Sequence, residues 1–139
     1  MNRKEFLKTS ALALTALVIG PSLLESCAKS HTTPQAVTVP FTVDLSNPAN
    51  SALNNVGGYI YSNGVIVTRI STTDSGFVAL AQACTHQGCT IAYSAGSQTF
   101  VCPCHGGTYN LNGIVVSGPP PGPVTRYTIA RNNNILTIS

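Results

Sequence analysis

The sequence of 139 residues predicts an all-β fold, an antiparallel β sandwich or barrel. From residue 37 onward, short runs of β-branched and aromatic residues alternate with Gly, Asn and Pro, as in short strands joined by turns. Asn63 and Gly64 separate two such runs, and this dipeptide favours a two-residue hairpin turn of type I′. No stretch after residue 36 keeps apolar spacing of 3.6 residues over three turns, so the pattern favours strands over helices.

The elements follow from the sequence in order. A first strand is predicted over 37–43, interrupted at Pro40, which lacks the N–H that a sheet ladder needs. The hairpin comes next, and residues 131–134 predict a second turn that closes the chain. The remaining strands are predicted where apolar runs lie between turn residues, over 76–81, 90–93, 99–101, 113–116, 126–129 and 135–138.

Residues 1–26 predict an export signal that is separate from the folded domain. Arg3, Lys4 and Lys8 precede an apolar stretch over 11–24. As a helix, that stretch would span about 21 Å, which is shorter than a hydrocarbon core of about 30 Å. A signal segment is therefore expected here, in preference to a transmembrane span or a buried helix of the domain.

Two resemblances refine this expectation. Residues 24–27 (LESC) resemble a bacterial lipobox, in which cleavage precedes a lipidated cysteine, and residues 2–8 (NRKEFLK) resemble a twin-arginine export signal. We therefore expect a lipid on Cys27, a polar tether over 27–36 and one folded domain over 37–139. The expected location is the periplasmic side of a bacterial cell envelope, with the lipid as membrane anchor.

The charge pattern gives no indication of nucleic acid as a partner. Beyond residue 27 the chain has four basic and two acidic residues, a net charge of 4 − 2 = +2, and they do not cluster. The same region shows no Ser-His-Asp set, carboxylate pair or phosphate-binding loop, so we predict no independent catalytic site.

Two short segments contain every cysteine and histidine beyond residue 36. Residues 84–89 are CTHQGC and residues 102–109 are CPCHGGTY, each after a predicted strand. A disulfide scaffold would pair the four cysteines and leave both histidines unexplained. A structural zinc site would use two Cys and two His and leave two cysteines over. Attachment of haem requires C-x-x-C-H, which CPCH does not match. A zinc- or disulfide-stabilised binding module remains an alternative.

The pattern C-T-H-x-G-C followed by C-P-C-H-G resembles the two cluster-binding loops of Rieske proteins, in which two histidines replace two cysteines on one iron of a [2Fe–2S] cluster. The 15 residues between His86 and Cys102 fit this resemblance. It covers residues 80–123 directly and 37–139 by expectation of fold. The resemblance implies a Rieske-type sandwich or barrel with a cluster-binding subdomain made of two loops.

The resemblance also implies which residues bind the cluster. Cys84 and Cys102 would bind the inner iron as thiolates, and His86 and His105 would bind the outer iron through one ring nitrogen each. Because imidazole carries less negative charge than thiolate, such a centre is easier to reduce than one with four cysteines. Electron transfer is also expected to couple to proton loss at the two histidines.

By the same resemblance, Cys89 and Cys104 would form a disulfide that joins the loops. Closing about 15 residues in this way would stabilise the fold by about 3 kcal/mol. An oxidising compartment outside the cytoplasm would permit it. With Cys27 lipidated and two cysteines on iron, all five cysteines of the chain then have a role.

Several residues are expected to tune the cluster. Gly107 stands where Rieske proteins of high potential have a serine that donates to a bridging sulfide, so we expect a lower potential here. Tyr109 matches a tyrosine that donates to a ligand cysteine, here Cys84. Residues 118–123 (GPPPGP) resemble the proline loop that covers the cluster. Gln87 is polar at a position where quinol-oxidising members have an apolar residue.

The function predicted from the sequence is one-electron transfer at the cell envelope through a single [2Fe–2S] cluster, with a redox partner protein. The alternative is a Rieske subunit of a membrane respiratory complex, of the quinol-oxidising cytochrome bc type or the molybdenum oxidase type.

Overall fold

The computed structural model describes residues 36–139, so the predicted signal 1–26, Cys27 and most of the tether lie outside the described residues. The described part is almost entirely β. Its strands are β1 Phe41–Asp44, β2 Tyr59–Ser62, β3 Val65–Arg69, β4 Phe77–Ala81, β5 Ala92–Ser94, β6 Thr99–Val101, β7 Thr108–Tyr109, β8 Val115–Ser117, β9 Arg126–Tyr127, β10 Ile129–Asn132 and β11 Ile135–Ile138. A 3-10 helix, Pro48–Asn54, lies between β1 and β2. Among residues 36–139 no helix is long and apolar enough to cross a membrane.

The strands form three antiparallel sheets. The central sheet has the order β2-β3-β4-β9, the second has β1-β11-β10, and the third has β5-β6-β7-β8. Strands β3 and β4 are buried on both faces, and their alternate residues belong to two separate cores. Val67 and Ala79 pack with the β1-β11-β10 sheet, whereas Ile66 and Leu80 pack with the β5–β8 sheet. The prediction of an all-β antiparallel fold is confirmed.

The β2–β3 hairpin is confirmed with the turn that Asn-Gly favours. Asn63 has φ 50° and Gly64 has φ 79°, so both central residues lie in the left-handed region that a type I′ turn requires. Ser62 pairs with Val65 across the turn. The carbonyl of Gly64 accepts the N–H of Gln82 at 2.9 Å, so the pairing of β3 with β4 continues one residue beyond Val65 and Ala81.

The first predicted strand, 37–43, is only partly correct. The observed strand β1 begins at Phe41, because its partner β11 ends at Ile138, opposite Phe41. The next residue, Ser139, pairs instead with Thr128 through both backbone groups, at 2.9 and 3.1 Å. Both backbone groups of Ser139 therefore face β10, and neither is left to pair with the residues before Phe41.

The strand predicted over 126–129 divides between two sheets. Arg126 and Tyr127 pair with β4, whereas Ile129 starts β10 and pairs with β11. Thr128 lies at the change of sheet. The strand predicted over 113–116 starts later, at Val115, because Gly113 has φ 79° and closes a turn by donating to the carbonyl of Asn110 at 2.9 Å.

Two elements were not predicted. The 3-10 helix starts after Asn47, whose side chain accepts the N–H of Ala49 at 3.0 Å, with Pro48 at its first position. It buries Leu53 in the core of the β1-β11-β10 side. The short strand β7, Thr108–Tyr109, joins β6 to β8 and so carries Tyr109 into the other core.

Candidate metal centre

The first cysteine-containing loop, loop 1 (residues 84–89), starts shortly after β4. The N–H of Cys84 donates to the carbonyl of Cys89 at 2.8 Å, and the N–H of Gly88 donates back to the carbonyl of Cys84 at 2.8 Å. Gly88 has φ 73°, a conformation that a side chain disfavours. The loop is thus a tight, closed turn that places Cys84 at its base.

The second loop, loop 2 (residues 102–107), follows β6 and repeats this hydrogen-bond pattern. The N–H of Cys102 donates to the carbonyl of Gly107 at 2.7 Å, and the N–H of Gly106 donates to the carbonyl of Cys102 at 3.0 Å. Gly106 has φ 72°, nearly the same value as Gly88. Two equivalent turns therefore each present a cysteine at the base and a histidine two or three residues later.

A disulfide joins the two loops, as the resemblance implied. Cys89 and Cys104 are bonded, with their Cα atoms 6.5 Å apart and 15 positions apart in the chain. The sulfur of Cys102 lies within 4.8 Å of both disulfide sulfurs. Because a disulfide sulfur has no thiolate to offer a metal, this group of three cysteines leaves only Cys102 as a ligand.

Cys84 and Cys102 are the free cysteines among residues 36–139, and both are buried. Burial disfavours the thiolate of Cys84, but hydrogen bonds from the Tyr109 hydroxyl, from the N–H of His86 and from the thiol of Cys102 outweigh it. The pKa of the Cys84 thiol therefore lies below its ordinary value. A buried sulfur that favours its anionic form is suited to bind a metal cation.

The pKa of Cys102 moves in the opposite direction. Burial raises the pKa of its thiol, and although the N–H of Cys104 favours the thiolate, the neighbouring Cys84 adds to the rise. The first thiolate, on Cys84, thus makes a second negative charge beside it costly. A metal that neutralises both charges would allow both cysteines to ionise, as metal binding to thiolates requires.

The two predicted histidine ligands lie side by side. The rings of His86 and His105 meet edge to face, with centroids 4.8 Å apart and an interplanar angle of 86°. His105 is exposed and His86 is half-buried. Atom Nδ1 of His86 is buried and has no hydrogen-bond partner among the described residues. A buried nitrogen without a partner is costly, and a metal ion bound to it would remove that cost.

Tyr109 contacts the free cysteine of loop 1. Its hydroxyl oxygen lies 3.2 Å from Sγ of Cys84 and accepts the N–H of Thr85 at 3.1 Å. Burial raises the pKa of this hydroxyl, and its hydrogen bond with Cys84 adds to the rise, so it keeps its proton near neutral pH. The expected contact between Tyr109 and Cys84 is thus present in the structure.

Thr85 links loop 1 to the proline loop (residues 118–123), a contact that the sequence analysis missed. Its hydroxyl donates to the carbonyl of Gly122 at 2.7 Å and lies 3.1 Å from the hydroxyl of Tyr109. Only the position of Thr85 between Cys84 and His86 could have suggested this role. No local pattern pairs it with a residue that far along the chain.

Gly107 and Gly118 bring the proline loop against loop 2. Gly107 is buried, and a Cβ atom on it would lie 2.5 Å from Cγ of Pro120. Gly118 has φ 93°, and a Cβ there would lie 2.7 Å from Cα of Gly107. The proline loop therefore closes directly over Gly107, the second residue after the histidine of loop 2.

Comparison with known proteins gives this site its context. The family described as Rieske [2Fe-2S] domain matches residues 42–128. The chain is 36% identical over 77 residues to the carotenoid phi-ring synthase of Chlorobaculum tepidum. The matched region is 55% of this chain and 12% of the synthase. It is 28% identical over 107 residues to the cytochrome b6-f complex iron-sulfur subunit of the same organism. That matched region is 76% of this chain and 59% of the subunit.

Among solved structures, the fold is similar to that of the cyanobacterial plasma membrane Rieske protein PetC3 from Synechocystis. The TM-score is 0.54 at 24% sequence identity, and the match covers 70% of this chain and 98% of that one. The chain spans less than two thirds of the length of the two Chlorobaculum relatives. Because the family match covers more than half of its residues, the chain belongs to the Rieske [2Fe-2S] domain family.

Proposed function

We propose that Cys84, His86, Cys102 and His105 bind the [2Fe–2S] cluster of this domain, and that the protein is a one-electron carrier. The observation that carries the proposal is the pairing of two like turns, each with a buried free cysteine and a histidine, joined by the Cys89–Cys104 disulfide. Two sulfur and two imidazole ligands are the donor set of a Rieske centre.

The cluster, when bound, accepts and releases one electron at a time. The chain's own residues favour this by stabilising negative charge on the ligand sulfurs. Backbone N–H groups of His86 and His105 face the sulfurs of Cys84 and Cys102, and the hydroxyl of Tyr109 adds a further donor at Cys84.

Cluster content and magnetic resonance test this proposal. The full chain, produced in a host that assembles iron–sulfur centres, should contain iron and acid-labile sulfide in equal amounts and show a rhombic electron paramagnetic resonance signal when reduced. Cys84→Ser should abolish the signal, whereas Cys27→Ser, a change to the one cysteine assigned to the lipid, should retain it. A chain that binds zinc and gives no such signal would instead support a zinc-stabilised binding module.

We also propose that residues 1–26 are an export signal, that Cys27 carries a lipid, and that the domain over 37–139 is held on the periplasmic face of a membrane by the tether. The support is the resemblance of residues 24–27 to a lipobox, and the name of the similar Synechocystis protein, which places that protein at the plasma membrane. Mass spectrometry of the mature chain tests the proposal. A lipidated Cys27 at the N-terminus is expected, and an intact Met1 would contradict it.

The second candidate function is that of a subunit in a membrane respiratory complex. The similarity to the cytochrome b6-f complex iron-sulfur subunit of Chlorobaculum tepidum favours it, whereas the polar, exposed Gln87 beside a proposed ligand does not. Purification in mild detergent separates the two candidates. Recovery in a stable assembly with a cytochrome would favour the complex, and recovery as an isolated lipoprotein would favour the carrier.

A further inference from the structure

The part of the chain that contains the proposed cluster site carries no fixed charge. Residues 75–125 include both loops, strands β5–β8 and the proline loop, and they contain no Asp, Glu, Lys or Arg. Their histidines, His86 and His105, are the proposed iron ligands. A partner that docks near the cluster therefore meets residues of this segment that are themselves uncharged.

The charges of the described residues lie largely at the other end of the central sheet. Arg69 pairs across β3 and β4 with Phe77, and Arg131 lies over the same ring and bonds Asp74 at 3.0 Å. From Phe77, β4 runs about 13 Å to Ala81 before the chain reaches loop 1. Of the charged groups, Arg126 is the one placed nearer the loops, opposite Leu80, and its guanidinium donates to the side chain of Asn112.

Apolar side chains project from the edge of the third sheet. Ile114 and Val116 are 56% and 59% exposed, the highest values for large hydrophobic residues among residues 36–139. Val115, between them, packs inward against the core. Within residues 36–139, strand β8 pairs only with β7, so these side chains lie along an open edge of the described sheet. Proteins usually protect such edges with charged residues, and residues 114–117 contain none, although the guanidinium of Arg126 lies beside them on Asn112.

This edge is close to the proposed cluster site. Val115 pairs with Tyr109, whose hydroxyl contacts Sγ of Cys84 at 3.2 Å. Directly after β8, Gly118 packs against Gly107 of loop 2. A partner seated on β8 would thus lie one strand spacing, about 4.8 Å, from β7. From β7, the side chain of Tyr109 reaches Cys84, a proposed cluster ligand.

We propose that the sheet edge bearing Ile114 and Val116 is the docking face for a redox partner protein whose own contact surface is uncharged and apolar. This inference rests on the proposed electron-carrier function. An apolar partner would bury both side chains without removing any charge from water. A partner that recognises its target through several charged groups would find only the guanidinium of Arg126, bonded to Asn112, beside this edge.

Stopped-flow oxidation of the reduced, cluster-loaded full chain tests this proposal with two protein oxidants. One probe is a blue copper protein with an apolar, uncharged docking face, and the other is a c-type cytochrome with a lysine-rich docking face. For the blue copper probe, the second-order rate should change less than about twofold between about 10 mM and 0.5 M salt, because screening has no charge pair to act on.

Three variants locate the contact. Ile114→Glu and Val116→Glu should slow oxidation by the blue copper probe about tenfold and make oxidation by the cytochrome faster at low salt. Val56→Glu is the matched control, since Val56 is 54% exposed and lies beside Gly57, whose N–H bonds Arg69 at the charged end. It should leave the blue copper rate within about twofold of wild type.

A fourth variant, Val116→Thr, preserves shape and charge while making the contact polar, and it should slow the blue copper probe about threefold. The proposal is overturned if the two edge Glu variants react like Val56→Glu, or if Val116→Thr reacts like wild type. Iron and sulfide content, measured on every sample, separates these outcomes from failure of the proposed function. Loss of docking changes the rate with the cluster intact, whereas failure of the proposed electron-carrier function leaves a chain without a cluster to oxidise.

Discussion

Pro120 occupies the space that a side chain at Gly107 would need. A Cβ atom on Gly107 would lie 2.5 Å from Cγ and 2.7 Å from Cδ of the Pro120 ring. Both residues are buried, and Gly118 packs against Gly107 from the same loop. Because Gly107 has no side chain, the proline loop can close over it.

This contact changes what we expect of Gly107→Ser. The added hydroxyl should donate to a cluster sulfide and raise the midpoint potential, by roughly 40 mV for a hydrogen bond of about 1 kcal/mol. In the single variant, however, Pro120 must move to admit the serine. We therefore predict a larger rise for Gly107→Ser combined with Pro120→Ala than for Gly107→Ser alone, measured by redox titration.

Gly96→Ser is the control for this series, because a Cβ on Gly96 has no atom within 4 Å. It should leave the midpoint unchanged. If the double variant has the midpoint of wild type, the hydrogen-bond explanation for a low potential is wrong. If Pro120→Ala alone gives the whole rise, exposure of the cluster to water controls the potential.

A second prediction concerns Tyr109→Phe. The change removes a donor 3.2 Å from Sγ of Cys84, and it leaves the N–H of Thr85 without its acceptor. The midpoint should fall by roughly 40 mV, and the free energy of unfolding should fall by about 1–2 kcal/mol. Redox titration and denaturant unfolding measure the two effects.

Tyr61→Phe is the matched control, since it also removes a hydroxyl with a hydrogen bond, here to the carbonyl of Ile91 at 2.8 Å. Its midpoint should equal that of wild type, although its stability should fall. Equal midpoints for both Phe variants would mean that the Tyr109 hydroxyl has a structural role only.

Whether a feature of the fold could be predicted from the sequence depended on how far apart in the chain the residues that determine it lie. The Asn63-Gly64 turn and the β6 strand were predicted because neighbouring residues determine them. The change of sheet at Thr128 was missed because it depends on pairing with Ser139 at the end of the chain. A single run of apolar residues cannot show that its two halves have different partners.

The candidate site shows the same division. The resemblance of the two cysteine- and histidine-containing motifs to Rieske loops implied which residues come together, and the Cys89–Cys104 bond that it implied is confirmed. The sequence could not show that Pro120 fills the space beside Gly107, or that Thr85 bonds Gly122. These contacts join segments that are distant in the chain, and they depend on the path of the proline loop.

A third prediction concerns the disulfide. Replacing both Cys89 and Cys104 with alanine should lower the free energy of unfolding by about 3 kcal/mol, because the bond closes a loop of about 15 residues. It should also speed loss of the cluster, since the cluster's own bonds would then be the remaining covalent link between loop 1 and loop 2. Guanidinium unfolding and the decay of visible absorbance measure these effects. Cys27→Ser should change neither, and a double variant as stable as wild type would contradict the prediction.

A fourth prediction concerns stability at alkaline pH. Burial, together with the neighbouring Tyr59, raises the pKa of Tyr61 to about 12 from its ordinary value of 10.0. The folded state therefore holds this proton more tightly than the unfolded state. The stabilisation is complete below pH 10 and is lost as the pH rises from about 10 to about 12, because only the unfolded chain releases the proton there.

Tyr61→Phe removes this contribution. The free energy of unfolding of the variant, measured with denaturant at several pH values, should fall less steeply between pH 10 and 12 than that of wild type. Some slope will remain, because burial also raises the pKa of Tyr93 and Tyr109. Tyr61 is 44% exposed, so solvent screening reduces its contribution to the free energy of unfolding. The informative quantity is therefore the difference in slope between wild type and variant. Parallel curves for the two proteins would show that Tyr61 ionises equally well in the folded and unfolded chain.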